Sequence, residues 1–337
     1  MGLYQITPFF RKLVSLNFLK KTAIILIVFL AFASAHAQMF PWFTQYRSNM
    51  YLYNPAFCGT KRFIDFRLFY RNQWTGYKGA PKTYAASLNF RLAEGRVGIG
   101  GFAFNDEIGP FKTTYAGGTF AYHLKLEDVE LSFGLQGIYM AQTFSGSKVT
   151  LHNSVDRAID VESTSNVKGS DGSAGLVLLN DRFYLAIGAN NLLGKEFVHF
   201  KGDGFHKGKY QNEMSLNVGA AYNYAEDPNF TFENSVMALY TKGVPLFFDY
   251  TLRLHIQKVL LTGVSIRVKD AIAVHLGFTI KNQFQIAYSY DIVTSPLRKY
   301  NSGSHELSLV FSSNMGRDKQ KRGFNNRFLK QKFQYLL

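Results

Sequence analysis

Few side chains in this sequence sit at spacings that support chemistry. His305-Glu306 matches the start of a zinc-protease helix, but the second histidine is missing and the surrounding residues alternate as a strand does. The eight histidines show no ligand spacing, so no metal is expected. Gly98-Ile-Gly-Gly101 is half of a dinucleotide loop with no helix behind it, and its glycines suit a bent or close-packed strand better. No Gly-x-Ser-x-Gly elbow marks a serine nucleophile. Cys58 is the single cysteine, so an intramolecular disulfide is excluded. The expectation is a chain with no catalytic residues and no cofactor, not an enzyme.

The remaining chemistry is recognition. Arg71, Trp74, Tyr77 and Lys78 crowd the stretch between Tyr70 and Tyr84, and Arg298, Lys299 and Tyr300 crowd the stretch between Asp291 and Glu306. A third dense stretch is Asp106 to Thr114. Tyrosine, tryptophan and arginine on loops are the types that anchor partners. Loops of this composition can equally fold inward as a plug or brace a rim, and both readings stand at this level. The seven named side chains are the candidate partner-binding residues.

Strands must hold these loops. Phe284, Ile286, Tyr288, Tyr290 and Ile292 alternate with Gln283, Gln285, Ala287, Ser289 and Asp291, and His305, Leu307, Leu309 and Phe311 alternate with Glu306, Ser308 and Val310. Period-two alternation gives one apolar and one polar face. The unit recurs from Ile64 to Phe311, and counting it predicts about fourteen strands, an even number as in bacterial outer-membrane barrels. Connections after even strands are short, such as Glu127-Asp128 and Lys281-Asn282. Those after odd strands are mostly long: 72–82, 106–112, 145–171, 193–209, 241–246 and 293–304. Val268-Lys269-Asp270 is a short exception. Short turns on the periplasmic side and long loops outside are the pattern of a transmembrane antiparallel up-and-down β-barrel. Tyrosines fall near both ends of the strands, as interfacial rings do. The polar face, with Arg67, Arg71, Asn89, Arg91, Gln136, Asp249, Arg253, His255, Arg267 and Gln285, could line an open pore or pair within a closed lumen.

Composition agrees with an all-β membrane protein. Of 337 residues, 18% are charged and 16% aromatic, a mix suited to a wall between lipid and water. Residues 1–37 read as a signal peptide, with Arg11, Lys12, Lys20 and Lys21 before an apolar core and Ala35-His36-Ala37 at the cleavage site. That core is shorter than the roughly 20 residues a membrane-spanning helix needs. Residues 38–60 read as an irregular periplasmic lead-in, 61–314 as the barrel, and 315–337 as a basic tail. The net charge of +15 is scattered and comes with no nucleic-acid motif, so no nucleic-acid partner is expected.

A family resemblance runs through the same loops. Tyr51-Leu-Tyr-Asn-Pro-Ala-Phe57, Gly59-Thr60, Tyr70-Arg-Asn-Gln-Trp74, Gly79-Ala-Pro81, Asp106 to Pro110, Leu131-Ser-Phe-Gly-Leu135, Asn190-Asn-Leu192 and Tyr288 to Glu306 resemble the PorP/SprF family of outer-membrane proteins of the type IX secretion system. Cys58 departs from the small apolar residue usual there. The resemblance implies a bacterial outer-membrane barrel that supports secretion and surface anchoring of particular cargo, often gliding adhesins. It implies contact with outer-membrane lipid, with type IX components and with the C-terminal domain of a secreted surface protein. The alternative from the residues alone is a channel or transporter for small solutes. With the long loops outside, an epitope at Lys78 should label on intact cells and one after Gly316 should not. The reverse pattern would invert the topology.

Overall fold

The computed structural model of the chain describes residues 41–61, 63–92, 95–149, 164–194, 196–198, 209–225, 227 and 229–314. The signal peptide expected over 1–37 and the basic tail over 315–337 lie outside the described residues, as does most of the 145–171 connection. The strands are β1 (Phe63–Asn72), β2 (Lys82–Leu92), β3 (Val97–Ile108), β4 (Phe111–Leu126), β5 (Val129–Ser145), β6 (Thr164–Leu179), β7 (Phe183–Asn190), β8 (Glu196–Val198), β9 (Lys209–Gln211), β10 (Ser215–Tyr224), β11 (Phe230–Thr241), β12 (Phe247–Ile256), β13 (Leu260–Arg267), β14 (Ala271–Ile280), β15 (Phe284–Val293) and β16 (Ser304–Asn314). Among the described residues, fourteen of them close a barrel in chain order, sealed by β1 against β16, while β8 and β9 form a separate hairpin. Every barrel pair is antiparallel. Among the described residues no helix is long and apolar enough to cross a membrane. The barrel crosses by strands, whose closed ladder leaves no backbone group unpaired in hydrocarbon.

Alternation sets the two faces. Phe66, Leu68, Leu135, Ile187, Val218, Val274 and Leu276 point outward and are exposed, whereas Asp65, Arg67, Asn89, Gln136, Arg253 and Arg267 point inward and are buried. Outward tyrosines gather near the long-loop end, at Tyr70, Tyr84, Tyr139, Tyr240, Tyr250 and Tyr288. Stagger tilts the strands. The row that starts at Asp65, near the short-turn end of β1, passes through Asn89, Gly100, Thr119 and Gln136 to Ser173, beside the long-loop end of β7.

Three sequence expectations need correction. The stretch 106–112 is not a long loop: β3 and β4 run on to a tight turn at Gly109-Pro110, and Asp106 is buried on the inner face, accepting from the Thr83 hydroxyl at 2.6 Å. β6 begins at Thr164 rather than near 172, so β3 to β6 stand taller than their neighbours. The described part of the lead-in, 41–60, is not a free periplasmic segment. It lies inside the barrel, almost wholly buried, and bonds to inner-face groups all round the wall. A fourteen-strand ring is wider than its own side chains can fill, so the lumen needs another occupant.

The lower half of this plug fits against glycines. A Cβ on Gly98 would come within 2.2 Å of the Cys58 carbonyl oxygen, one on Gly134 within 2.2 Å of the Ala56 nitrogen, and one on Gly175 within 2.0 Å of Asn54 Oδ1. No side chain larger than hydrogen fits there while the plug is seated. The Gly98-Ile-Gly-Gly101 stretch is therefore part of a close-packed strand, as its sequence suggested. Burial pushes the Cys58 thiol up to about 12. Cys58 is thus expected to resist maleimide at pH 8 in the folded barrel. Gly98→Val should displace the plug and make it react, and equal labelling of wild type and variant would refute this seating.

Candidate functional site

Two constellations stand out, one inside the lumen and one on the long-loop end. The inner one fixes the upper half of the plug. Glu306 of β16 accepts the Thr44 amide on Oε2 at 2.7 Å and the Gln45 amide on Oε1 at 2.8 Å. The Thr44 hydroxyl donates to Asp291 Oδ1 at 2.8 Å and accepts from Arg71 Nη1 at 2.6 Å and Arg267 Nη2 at 2.9 Å. Arg71 also bridges Asp291 Oδ2 at 2.7 Å and Glu306 Oε2 at 3.0 Å. Arg267 reaches Asp270 at 2.8 Å and Asp249 at 3.4 Å. All of these wall side chains except Asp270 are nearly excluded from water, so each charge depends on its partners. A second set ties the middle of the plug. Arg47 pairs with Glu233 at 3.3 Å, and Arg253 donates to Glu233 at 2.8 Å and to Ser48 at 3.0 Å.

Below these, the Tyr-Asn-Pro-Ala turn meets β5, β6, β7 and β10. Asn54 caps the turn by accepting the Ala56 amide at 2.9 Å and donates to the Ile187 carbonyl at 2.9 Å. Asn190 and Asn217 both donate to the Tyr53 carbonyl, at 3.1 and 3.0 Å. Ser132 donates to the Ala56 carbonyl at 2.6 Å. These bonds satisfy plug backbone that could not otherwise be buried.

The outer constellation is a ledge. The Thr75 amide donates to the Gly303 carbonyl and the Ser302 amide to the Thr75 carbonyl, each at 2.8 Å, so the β1–β2 and β15–β16 loops are joined by backbone. The Trp74 amide adds a bond to Ser304 Oγ at 3.1 Å. The Gly109 amide donates to the Gly79 carbonyl at 2.9 Å, tying the β3–β4 turn to the same unit. Trp74 has φ of 49° and Gly79 of 77°, left-handed values that turn the loop back over the barrel rim. Tyr77 and Tyr300 are 50% and 67% exposed, Lys78, Arg298 and Lys299 are exposed, and Trp74 is half-buried.

Six of the seven side chains singled out in the sequence thus lie on the two joined loops. Arg71 does not: it points into the lumen and is spent on the plug, so it is unavailable to an external partner. The alternation of β1 carries that information, since Tyr70 points outward and its neighbour must point in. Sequence reading missed Thr44, Gln45 and Glu306. The available signal was the unusual burial-prone composition of 42–58, rich in aromatics and carrying one cation, Arg47. Among the described residues no cluster of three or more His, Cys, Asp or Glu is arranged to hold a metal.

The closed, apolar-walled ring defines the class: a bacterial outer-membrane β-barrel. The model of the type IX secretion system membrane protein PorP/SprF matches residues 35–311, and the chain belongs to that family. Its fold is similar to that of the CymD monoaromatic hydrocarbon channel, at 12% identity and a TM-score of 0.51, covering 84% of this chain and 95% of that one. A FadL homologue from Pseudomonas aeruginosa aligns at 10% identity and a TM-score of 0.49, covering 84% and 96%. At such identities the likeness shows the fold alone. Among curated proteins none matches the sequence.

The two constellations differ in what a substitution does. Glu306→Ala leaves the two buried amides of Thr44 and Gln45 without an acceptor and takes one of the two carboxylates from Arg71, and should cost about 3–5 kcal/mol. Tyr77→Ala and Lys78→Ala on the ledge should stay within about 0.5 kcal/mol of wild type. Urea unfolding from detergent micelles checks both, and equal costs at the two places would contradict the division of roles.

Proposed function

We propose that this outer-membrane type IX secretion protein is a cargo-specific adaptor. It holds one surface adhesin, or a small set, by the cargo's C-terminal domain as the cargo leaves the translocation machinery. The observation that carries this reading is the ledge. Trp74, Tyr77 and Tyr300 stand beside Lys78, Arg298 and Lys299 on two loops already fixed to one another by backbone bonds. A preformed surface of aromatic anchors and cations loses little freedom on binding, and it suits a protein partner with an acidic rim. The long-loop end faces outward in this reading, in keeping with the side on which outer-membrane barrels carry their longer loops.

The filled lumen weighs against the alternative of a small-solute channel. Segment 41–60 occupies the ring and is bonded to strands on opposite sides of its wall. Solute flux would require breaking buried ion pairs.

The test is deletion of the gene followed by surface proteomics. Loss of one or a few large adhesins, with other type IX cargo still secreted, is expected. The triple variant Tyr77→Ala, Lys78→Ala, Tyr300→Ala should reproduce that loss while inserting normally. Loss of all type IX cargo would make the protein core machinery. Unchanged cargo together with reduced solute uptake, or steady conductance of the wild-type barrel in planar bilayers, would favour the channel.

A further inference from the structure

The tall part of the wall, β3 to β6, carries an outward face with an unusual profile. One row of the ladder reads Leu88, Gly101, Gly118, Gly137 and Gly172. A Cβ added to Gly118 or Gly137 would meet nothing within 4 Å, and at Gly101 and Gly172 it would make only ordinary contact. The plug explains inward Gly98, Gly134 and Gly175, but among the described residues nothing packs against outward Gly118 and Gly137. The next row toward the long-loop end holds Ala86, Ala103 and Ala116, so the strip stays low across β2 to β4 and is bounded on β5 by the exposed Tyr139.

On the other side the strip opens into an apolar groove of about 520 Å³. Phe120, Leu135, Ala174, Leu176, Ile187 and Leu216 line it, across β4, β5, β6, β7 and β10. Its large side chains are exposed, in the apolar band that faces hydrocarbon.

Above the strip the chemistry changes. Two rows carry hydrogen-bonding groups and cations together: Asn105 donates to Thr114 Oγ1 at 2.7 Å in the row that ends at Lys168, and Thr143 donates to Asn166 Oδ1 at 2.6 Å in the row that holds Lys82 and Lys112, both pairs on the exposed face. Lys82 and Lys112 flank Glu107 in one row, and Lys168 lies across from Ala141 in the adjoining row. Lys148, in the 3-10 turn Gly146–Lys148 that follows β5, is exposed and acts electrostatically on the same Glu107. Glu107 pairs with Lys112 at 2.9 Å, but that pair is 35% and 52% exposed and therefore weak and exchangeable. Four lysines against one carboxylate leave the patch cationic.

These residues point sideways from the barrel wall, not up from the loops. A wall residue at the height of the tyrosines or just above faces headgroups of the surrounding leaflet. From Gly118 to Lys112 is about 20 Å along the strand, which strand tilt reduces to roughly 15 Å of height. Lysine stems can bend back to shorten it further. In order of height the face offers an apolar groove, a smooth strip, and then amide, hydroxyl and cationic groups side by side. We propose that this face is a binding site for a phosphorylated glycolipid of the outer leaflet, with acyl chain in the groove, sugar against Asn105, Thr114, Thr143 and Asn166, and phosphate on Lys82, Lys112 and Lys168. The site rests on the outward orientation of the long-loop end adopted above, but on nothing about cargo.

Native mass spectrometry of the purified full-length barrel tests it without any type IX partner. The probes are bis-phosphorylated lipid A, its dephosphorylated form and inorganic phosphate. Wild type should retain the bis-phosphorylated lipid, and K82Q/K112Q/K168Q should bind it about tenfold more weakly, a change of about 1.4 kcal/mol. G118L/G137L, which fills open space outside the wall, should weaken both lipid forms. Because all five positions are exposed, heat-modifiable migration should be unchanged, and binding is compared only among variants that keep it. Equal binding by wild type and both variants would overturn the proposal. So would equal retention of the dephosphorylated lipid, or displacement of the lipid by equimolar inorganic phosphate. If the lysine variant keeps the lipid but loses a co-purifying acidic protein, the face belongs to that protein instead. A cargo defect on ledge mutation with unchanged lipid binding would separate this site from the adaptor function.

Discussion

Closure of the sheet is the constraint on which everything else depends. In hydrocarbon each strand must give all its backbone groups to neighbours, so β1 has to meet β16. Closing a ring of fourteen tilted strands leaves a space too wide for the wall's own side chains. The chain fills it with its own segment 41–60. Filling a polar lumen with polypeptide then dictates the inner face. At several points where plug backbone approaches, the wall supplies a matching donor or acceptor, as Glu306 does for two successive amides and Asn190 and Asn217 do for one carbonyl. Where the approach is closest, the wall supplies glycine.

The two halves of the plug are held by different physics. Near the long-loop end, Thr44 and Gln45 sit among buried ions whose value lies in mutual satisfaction rather than net attraction. Nearer the short-turn end, residues 54–59 are fixed by shape against Gly98, Gly134 and Gly175. Between them Asn49 breaks the 3-10 turn with φ of −141° and ψ of 63°, so the segment changes direction as it passes from one kind of support to the other.

Much of the barrel was legible because alternation is a strong signal wherever one face meets lipid. Phe284 to Val293 could hardly be anything else, and the paired stretch 304–314 follows from it. The tight turn at Gly109-Pro110 was misread because strands that leave the membrane lose their apolar face. Thr114, Thr143 and Asn166 are outward and polar, so β3 to β6 seemed to end where they merely rise out of the apolar band. The plug was illegible for a related reason. It has no period, being neither strand nor long helix, and its partners lie hundreds of positions away. Arg71 carried two readings in the sequence, lumen-facing by its parity with Tyr70 and partner-binding by its loop neighbours, and its burial leaves only the first. Glycines looked alike as letters. Only coordinates separate Gly134, which has plug backbone against it, from Gly137, which faces open space.

The bond between Thr44 and Glu306 joins residues 262 positions apart. It ties the first described turn of the chain to the last strand, so it cannot exist until that strand has been placed. The same holds for Gln45, which accepts from Ser308 at 2.7 Å. A chain truncated before β16 would therefore lack both the seam and the latch of its own stopper. Sealing of the lumen is thereby coupled to completion of the wall, and a half-built ring has neither. One residue pair thus depends on both the seated plug and the closed ring. The cost is kinetic, since contacts of such long sequence separation form late and slowly.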